Sequence, residues 1–180
     1  CMLFEAYAAR QMAAGGNFPI KPLSVCNTKD MREEGMLDLD ETTILQKDTK
    51  TLNKTTHPPR ELQGRLVWPN PDYNLPAIDM FMLHLGTTII AFQMTVSTSH
   101  TLEIGGCRAF LQYFDYVCRE LQKVNPEAAV YELFFVVPAD IYDRFAKTAQ
   151  PVTGKNGVVL ISGEANNISA RISQWVMKVE

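Results

Sequence analysis

The sequence predicts an α/β fold in which a mixed β-sheet is flanked by helices. Two neighbouring apolar runs, at 77–83 and 87–97, are typical of paired strands. A helical pattern begins after Gly105-Gly106, and a nearly continuous apolar run at 129–137 is typical of a buried central strand. Helices and strands are therefore expected to alternate, which favours a mixed-sheet α/β or α+β architecture.

The composition is that of an ordinary folded domain. The chain has 180 residues, of which 46% are hydrophobic, and one domain spanning 1–180 is expected. It opens with Cys1 without a signal-peptide pattern, so we expect a domain excised from a longer chain. No apolar run reaches the roughly 20 residues of a membrane helix, so no membrane partner is expected. The net charge of −3 lacks the basic excess of a dedicated nucleic-acid binder, so any such role must be local.

The first predicted elements are a helix and a strand. Residues 2–14 are strong helix formers, and Gly15-Gly16 provides the end of the helix. The segment 17–25 is extended and contains prolines, which lack the N–H group needed for pairing. It is therefore predicted as an edge strand.

The segment 27–65 is interpreted as a charged loop or hairpin insertion. Residues 30–41 contain six acidic residues and one basic residue, whereas 47–65 carry five basic residues and two acidic ones. One interpretation is a solvated loop or short hairpin. The other is a basic flap over a phosphate backbone.

The remaining chain supplies further strands and helices. The runs at 77–83 and 87–97 form a predicted hairpin. The later elements are a helix from 105 to about 124, a strand at 129–137, a helix from 138 to about 150, a strand at 158–162 and a strand at 172–179.

Polar side chains interrupt the apolar hairpin at defined positions. If the turn is centred on Gly86, paired positions sum to 172, which places Asp79 opposite Gln93. Because side chains alternate along a strand, Thr95 and Ser97 then lie on the same face as Gln93. The hairpin therefore predicts a polar patch.

This polar patch has two interpretations. A carboxylate facing another oxygen ligand across two strands is suited to a hard cation such as Mg²⁺. Alternatively, Asp79 and Gln93 are a buried polar pair that satisfies its own hydrogen bonds. A zinc site is not expected, because the four cysteines have no CxxC spacing and the three histidines are scattered.

Several sequence stretches together resemble a known family. LFEAYA in the first helix, LPAID before the hairpin and FQMTVSTSH in its second strand are followed by a long helix. This arrangement resembles the restriction-endonuclease-like domain of crinkler effectors and retrotransposon hot spot proteins, within the PD-(D/E)XK superfamily. The resemblance implies a restriction-endonuclease-like core with the order α-β-β-β-α-β plus additions.

The resemblance also implies roles for individual residues. Asp79 matches the motif aspartate, Gln93 the glutamate-or-glutamine position and Glu5 the helix glutamate, and these three are the implied Mg²⁺ ligands. Thr95 occupies the lysine position, although a threonine carries no cation and is a poor proton-transfer group. His100 is a candidate for the missing donor or base, and its alternative is a plain surface or packing residue.

The leading hypothesis is therefore a nuclease-like domain that acts on or near DNA in a nucleus, which is the host nucleus if the protein is a secreted effector. The reaction would be Mg²⁺-dependent phosphodiester hydrolysis with a degenerate motif. The resemblance also implies a companion NTPase domain elsewhere in the full protein and host or partner proteins. The rival is a catalytically inactive endonuclease fold that serves as a protein- or nucleic-acid-binding module. A third hypothesis is an unrelated α/β binding domain whose resemblance is accidental.

Overall fold

The computed structural model has a mixed α/β fold, as the sequence predicts, and it describes residues 2–24, 32–47, 62–69, 77–83, 89–119, 125–126 and 130–180. The described helices are α1 (Met2–Ala13), α2 (Ile104–Val117), α3 (Ala139–Tyr142) and α4 (Gly163–Arg171). The described strands are β1 (Gly16–Pro22), β2 (Gly35–Leu39), β3 (Ile44–Lys47), β4 (Leu66–Pro69), β5 (Met80–Leu83), β6 (Ile89–Met94), β7 (Leu102–Glu103), β8 (Tyr131–Pro138), β9 (Val152–Thr153) and β10 (Ile172–Val179). None of the described helices is long and apolar enough to cross a bilayer.

One eight-stranded mixed sheet organises the fold. Its strand order is β2-β1-β10-β8-β6-β5-β4-β3, and β7 and β9 form a separate parallel pair. The strand β8 lies between β6 and β10 and runs parallel to both. Its residues from 133 to 137 are all buried, as a continuous apolar run predicts for a strand covered on both faces. The predicted central strand is thus confirmed.

Each face of the sheet carries its own hydrophobic cluster. On one side, here called the α1 face, Ala8, Ala9 and Met12 of α1 pack with residues such as Phe92 and Phe134. On the other side, called the α2 face, aromatic residues of α2 pack with residues of β5 and β8. This cluster includes Phe110 and Phe114 of α2, Phe81 of β5 and Phe135 of β8. The two faces follow from strand alternation, because successive residues of β8 enter opposite clusters.

The prediction of an edge strand at 17–25 is wrong. The strand β1 lies between β2 and β10, and β2 is the edge strand. It tolerates prolines because it pairs with β2 over 16–20 and with β10 over 20–22. Pro19 therefore has a ladder partner only in β2, and Pro22 only in β10, so each proline keeps one open side.

The charged segment 27–65 supplies strands at both edges of the sheet. It contributes β2 at one edge and β3 at the other, so these two strands do not form a hairpin with each other. Residues 25–31 and 48–61 lie outside the described part of the chain.

The predicted helix from 138 to about 150 is wrong in length. The helix α3 ends at Tyr142, and although the amides of Arg144 and Phe145 still donate to the carbonyl of Ile141, the backbone beyond them bonds to other segments. The amide of Ala146 donates to the carbonyl of Thr98, and that of Ala149 donates to the carbonyl of Ser24, both at 2.8 Å. These tertiary bonds replace the bonds that would extend a helix.

The region between β9 and β10 also differs from the prediction. No strand forms at 158–162, where Val159 makes one isolated bridge to Thr153. The helix α4 follows instead, with the Ser162 hydroxyl accepting a hydrogen bond from the amide of Ala165 at 3.1 Å. The helix predicted at 105–124 is confirmed as α2 to Val117, and 120–124 lie outside the described residues.

Candidate functional site

The hairpin that carries the candidate site has the predicted register. Met80 pairs with Phe92 and Phe81 with Ala91, and both pairs sum to 172. The remaining pairs of β5 and β6 follow the same rule. The turn itself, at 84–88, lies outside the described residues. The predicted register is thus confirmed for the pairs of β5 and β6, which begin at Met80, and Asp79 next to them is hydrogen-bonded to Gln93.

Asp79 is held by hydrogen bonds to β6. Its Oδ2 atom accepts a hydrogen bond from Gln93 Nε2 at 2.8 Å and another from the backbone amide of Met94 at 2.6 Å. The amide of Asp79 itself donates to the carbonyl of Phe92 at 2.8 Å. The Asp79 carboxylate is therefore fixed at the end of β6. The amide of Met94 is a site group that sequence reasoning missed, because a backbone donor leaves no trace in residue identity.

The chain bends immediately before β5. Ile78 packs in the cluster of the α2 face, whereas Met80 packs in that of the α1 face. In a regular strand residues two apart share a face, so the alternation is broken at Asp79. Ala77 has a φ of 88°, which is uncommon for a residue other than glycine. Such strain is often found at functional sites, and here it lies two residues from the carboxylate.

The environment of Asp79 disfavours its charged form. Burial raises the pKa of Asp79 from 3.8 to about 6, although the hydrogen bond from the Met94 amide acts in the opposite direction. The negative charge of Glu5, on α1, raises the pKa of Asp79 further. Glu5 has no hydrogen bond or ion pair with any described residue. Two carboxylates thus lie near each other without a described cation between them.

Oxygen atoms with open lone pairs remain at this position. Asp79 Oδ1 and Gln93 Oε1 accept no hydrogen bond from the described residues, and the Glu5 carboxylate is also free there. Carboxylate and amide oxygens are suitable ligands for Mg²⁺. Within the described ranges, however, no group of three or more His, Cys, Asp and Glu side chains is arranged to hold a metal. The oxygens with open lone pairs are thus of the type that a hard cation prefers, and only two of the groups that carry them are anionic.

Thr95 does not supply what a lysine would supply. It is buried directly after β6, and its Oγ1 accepts a hydrogen bond from the amide of Ser97 at 3.1 Å. Its own amide donates to the carbonyl of Val136 at 3.0 Å. The side chain therefore stabilises the turn that follows the strand and carries no charge toward Asp79.

His100 is held by its own surroundings. Its backbone amide donates to Gln150 Oε1 at 2.8 Å, and its Nδ1 lies 2.8 Å from the carbonyl of Thr101. Because a carbonyl only accepts, this contact places a proton on Nδ1. The ring lies beside Phe135, with centroids 6.0 Å apart. No hydrogen bond among the described residues joins His100 to Asp79 or Gln93.

In the structure Asp79 and Gln93 are hydrogen-bonded to each other, the negative charge of Glu5 acts on Asp79, and Thr95 and His100 are engaged elsewhere. Comparisons with models of protein families, with curated proteins and with solved structures found no match for this chain.

Proposed function

We propose that this chain is a nuclease-like domain that acts on DNA in a nucleus by slow, Mg²⁺-dependent phosphodiester hydrolysis. The observation that carries the proposal is the hydrogen-bonded pair of Asp79 and Gln93, whose carboxylate feels the charge of Glu5, a residue with no hydrogen bond or ion pair in the described part of the chain. A companion NTPase domain in the full protein and host or partner proteins belong to the same proposal.

The order of elements supports the proposal. After α1, the strands β4, β5 and β6 form an antiparallel meander, and α2 then connects β6 to the parallel strand β8. The described order agrees with the implied α-β-β-β-α-β order only when β1, β2, β3 and β7 are counted as additions. The helices α1 and α2 cover opposite faces of the sheet, so the candidate ligands are placed at its end with helices on both sides.

In such a site some residues would bind Mg²⁺ and others would orient the ligands. Asp79 Oδ1 and the Glu5 carboxylate would hold Mg²⁺, with Gln93 Oε1 as a neutral ligand. When bound, Mg²⁺ supplies positive charge next to the phosphate and makes a nearby water more acidic. The hydrogen bonds from Gln93 Nε2 and the Met94 amide fix the orientation of Asp79 and favour its ionised form.

The same geometry explains why the rate should be low. Of the three proposed ligands, only Asp79 and Glu5 are anionic, so few negative charges offset the cost of dehydrating Mg²⁺. Thr95 offers no fixed cation for the charge that develops on the phosphate. Losing one such electrostatic group typically lowers a rate by about 10² to 10³-fold.

A second candidate function is a binding module without catalysis. The observation that favours it is the buried hydroxyl of Thr95, which is committed to the amide of Ser97. A domain of this kind would keep the endonuclease-like architecture and bind protein or nucleic acid.

Cleavage of supercoiled and single-stranded DNA in Mg²⁺ or Mn²⁺ separates the two candidates. The test variant is Asp79→Asn, because an asparagine oxygen can still accept both hydrogen bonds that Oδ2 now accepts. The matched control is Asp38→Asn, which makes the same change at an exposed position on β2. The nuclease proposal predicts slow cleavage that Asp79→Asn abolishes and Asp38→Asn leaves intact. DNA binding with no cleavage in either metal would favour the binding module.

A further inference from the structure

A second polar feature lies at the other flank of the sheet, away from Asp79. A cavity of about 280 Å³ opens where β1 ends, beside the loop that follows α3. Its described lining consists of Lys21, Pro22, Leu23, Arg32, Glu34 and Lys147. Three of these side chains are cationic and one is anionic, so the lining is positive in a protein whose net charge is −3.

Two of the cations are fixed in place by the fold. Lys21 Nζ donates to the carbonyl of Tyr142 at 2.6 Å and lies 4.3 Å from the centre of that ring. Arg32 donates to the carbonyls of Leu23 at 2.9 Å and Gln174 at 3.2 Å and to the Ser173 hydroxyl, and its guanidinium lies 4.7 Å from the centre of the Trp175 ring. Both charges are therefore preorganised, which lowers the entropy lost when a ligand binds.

The third cation is available for a ligand. Lys147 is exposed, and its ammonium has no hydrogen-bond acceptor or ion-pair partner among the described residues. Its backbone is nevertheless fixed, because its carbonyl accepts hydrogen bonds from the amide of Ser24 at 3.0 Å and from the Ser24 hydroxyl at 3.2 Å. The lysine thus extends from a tethered backbone position on the rim of the cavity.

We infer that this cavity is a binding site for a phosphate group. Phosphate oxygens accept several charge-assisted hydrogen bonds at once, which suits a lining with one lysine on its rim and two more cations held in its wall. The volume is just below the about 300 Å³ at which pockets for drug-sized ligands begin, so it fits a small anion or one phosphate of a larger molecule. The negative charge of the Glu34 carboxylate repels a bound anion, which keeps the affinity for phosphate modest.

The inference does not rest on the proposed nuclease function, because none of the lining residues belongs to the site at Asp79. Either proposal can fail without the other. The phosphate group itself has two sources, which are a free phosphate or mononucleotide and the backbone of a nucleic acid.

The test is calorimetric titration of the whole chain at low salt with inorganic phosphate, a nucleoside 5′-monophosphate and a short single-stranded oligonucleotide. Lys147→Gln removes the cation that has no acceptor among the described residues, and Lys155→Gln is the matched control, since Lys155 is also exposed and does not belong to the described lining. Glu34→Gln removes the opposing carboxylate.

We expect Lys147→Gln to weaken binding about tenfold, as expected for one charge-assisted hydrogen bond, and Lys155→Gln to leave binding unchanged. Glu34→Gln should strengthen binding several-fold, a gain that an unfolded variant cannot produce. These changes in phosphate and mononucleotide titrations would identify a free-phosphate site, and the same changes confined to the oligonucleotide would identify a backbone contact. Equal losses in the two lysine variants, or no gain in Glu34→Gln, would overturn the inference.

Discussion

Replacing Asp79 by asparagine should make the folded protein more stable at neutral pH. Asp79 is partly buried beside the end of β6, and this burial raises its pKa to about 6. Keeping the carboxylate ionised in the folded state therefore costs free energy. Asparagine removes the charge and can keep the hydrogen bonds from Gln93 Nε2 and the Met94 amide.

The size of the gain follows from the two pKa values. The ordinary pKa of 3.8 and the folded pKa of about 6 differ by about 2 units. At about 1.36 kcal/mol per unit, this difference corresponds to about 3 kcal/mol above pH 6. The hydrogen bonds to the ionised carboxylate are already included in that net shift, so about 1 to 3 kcal/mol is expected for Asp79→Asn.

The gain should depend on pH with a definite sign. Since the folded pKa of Asp79 is raised, the folded state binds more protons than the unfolded state between about pH 4 and pH 6. The contribution of Asp79 to stability is therefore lost as pH rises through this window. The difference between Asp79→Asn and the wild type should be close to zero near pH 3.5 and reach its maximum above pH 6.

Urea unfolding of both proteins across this pH range measures the effect. Asp38→Asn controls for the change in net charge, because Asp38 is exposed on the edge strand β2. Mg²⁺ should stabilise the wild type more than Asp79→Asn, because a cation that binds only the folded state raises its stability. A variant that is less stable than the wild type at pH 7.5, or a stability difference that does not change with pH, would refute this account of the site.

Three further substitutions test other parts of the structure. Phe134→Ala should lower the free energy of unfolding by about 3 to 5 kcal/mol, because the ring is 1% exposed and stacks on Trp175; a loss below about 1 kcal/mol in urea would contradict the central position of β8. Ala77→Gly should raise stability by about 0.5 to 1 kcal/mol, since glycine adopts a φ of 88° without strain; the same change at Ala170, inside α4, should lower it. Thr95→Lys should raise the rate of DNA cleavage by up to about 10²-fold, and an unchanged rate in a folded variant would count against the degenerate-motif explanation.

The hairpin register was predictable because the two apolar runs are separated by one short segment. Placing the turn at the centre of that segment, at Gly86, fixes which residues pair. All pairs of β5 and β6 follow the sum expected from Gly86. The prediction that Asp79 and Gln93 are neighbours across the hairpin therefore needed only their positions in the sequence. The contribution of Glu5 came from the family resemblance, because nothing in the sequence of α1 shows which part of the sheet it covers.

Other elements depended on tertiary contacts that a sequence pattern does not contain. The strands β2 and β3 are short and lie among charged residues, which masks their strand signal, and they are stabilised at the edges by pairing with β1 and β4. The helix α4 contains several weak helix formers, and its local signals are the Ser162 cap, Glu164 in its first turn and Arg171 in its last turn. The bend at Asp79 also escaped prediction, because Ala77 has no intrinsic preference for its observed φ.

The central claim is that Asp79, Gln93 and Glu5 form a divalent-cation site. A Mn²⁺ titration followed by electron paramagnetic resonance tests it most directly, with wild type, Asp79→Asn, Glu5→Gln and the control Asp38→Asn. The account predicts one weak site in the wild type, with a Kd of about 0.1 to 1 mM as in other weakly charged oxygen sites. This site should disappear in Asp79→Asn, weaken in Glu5→Gln and persist in Asp38→Asn. Mn²⁺ binding that is unchanged in Asp79→Asn would contradict the claim, because the cation would then be held by other residues.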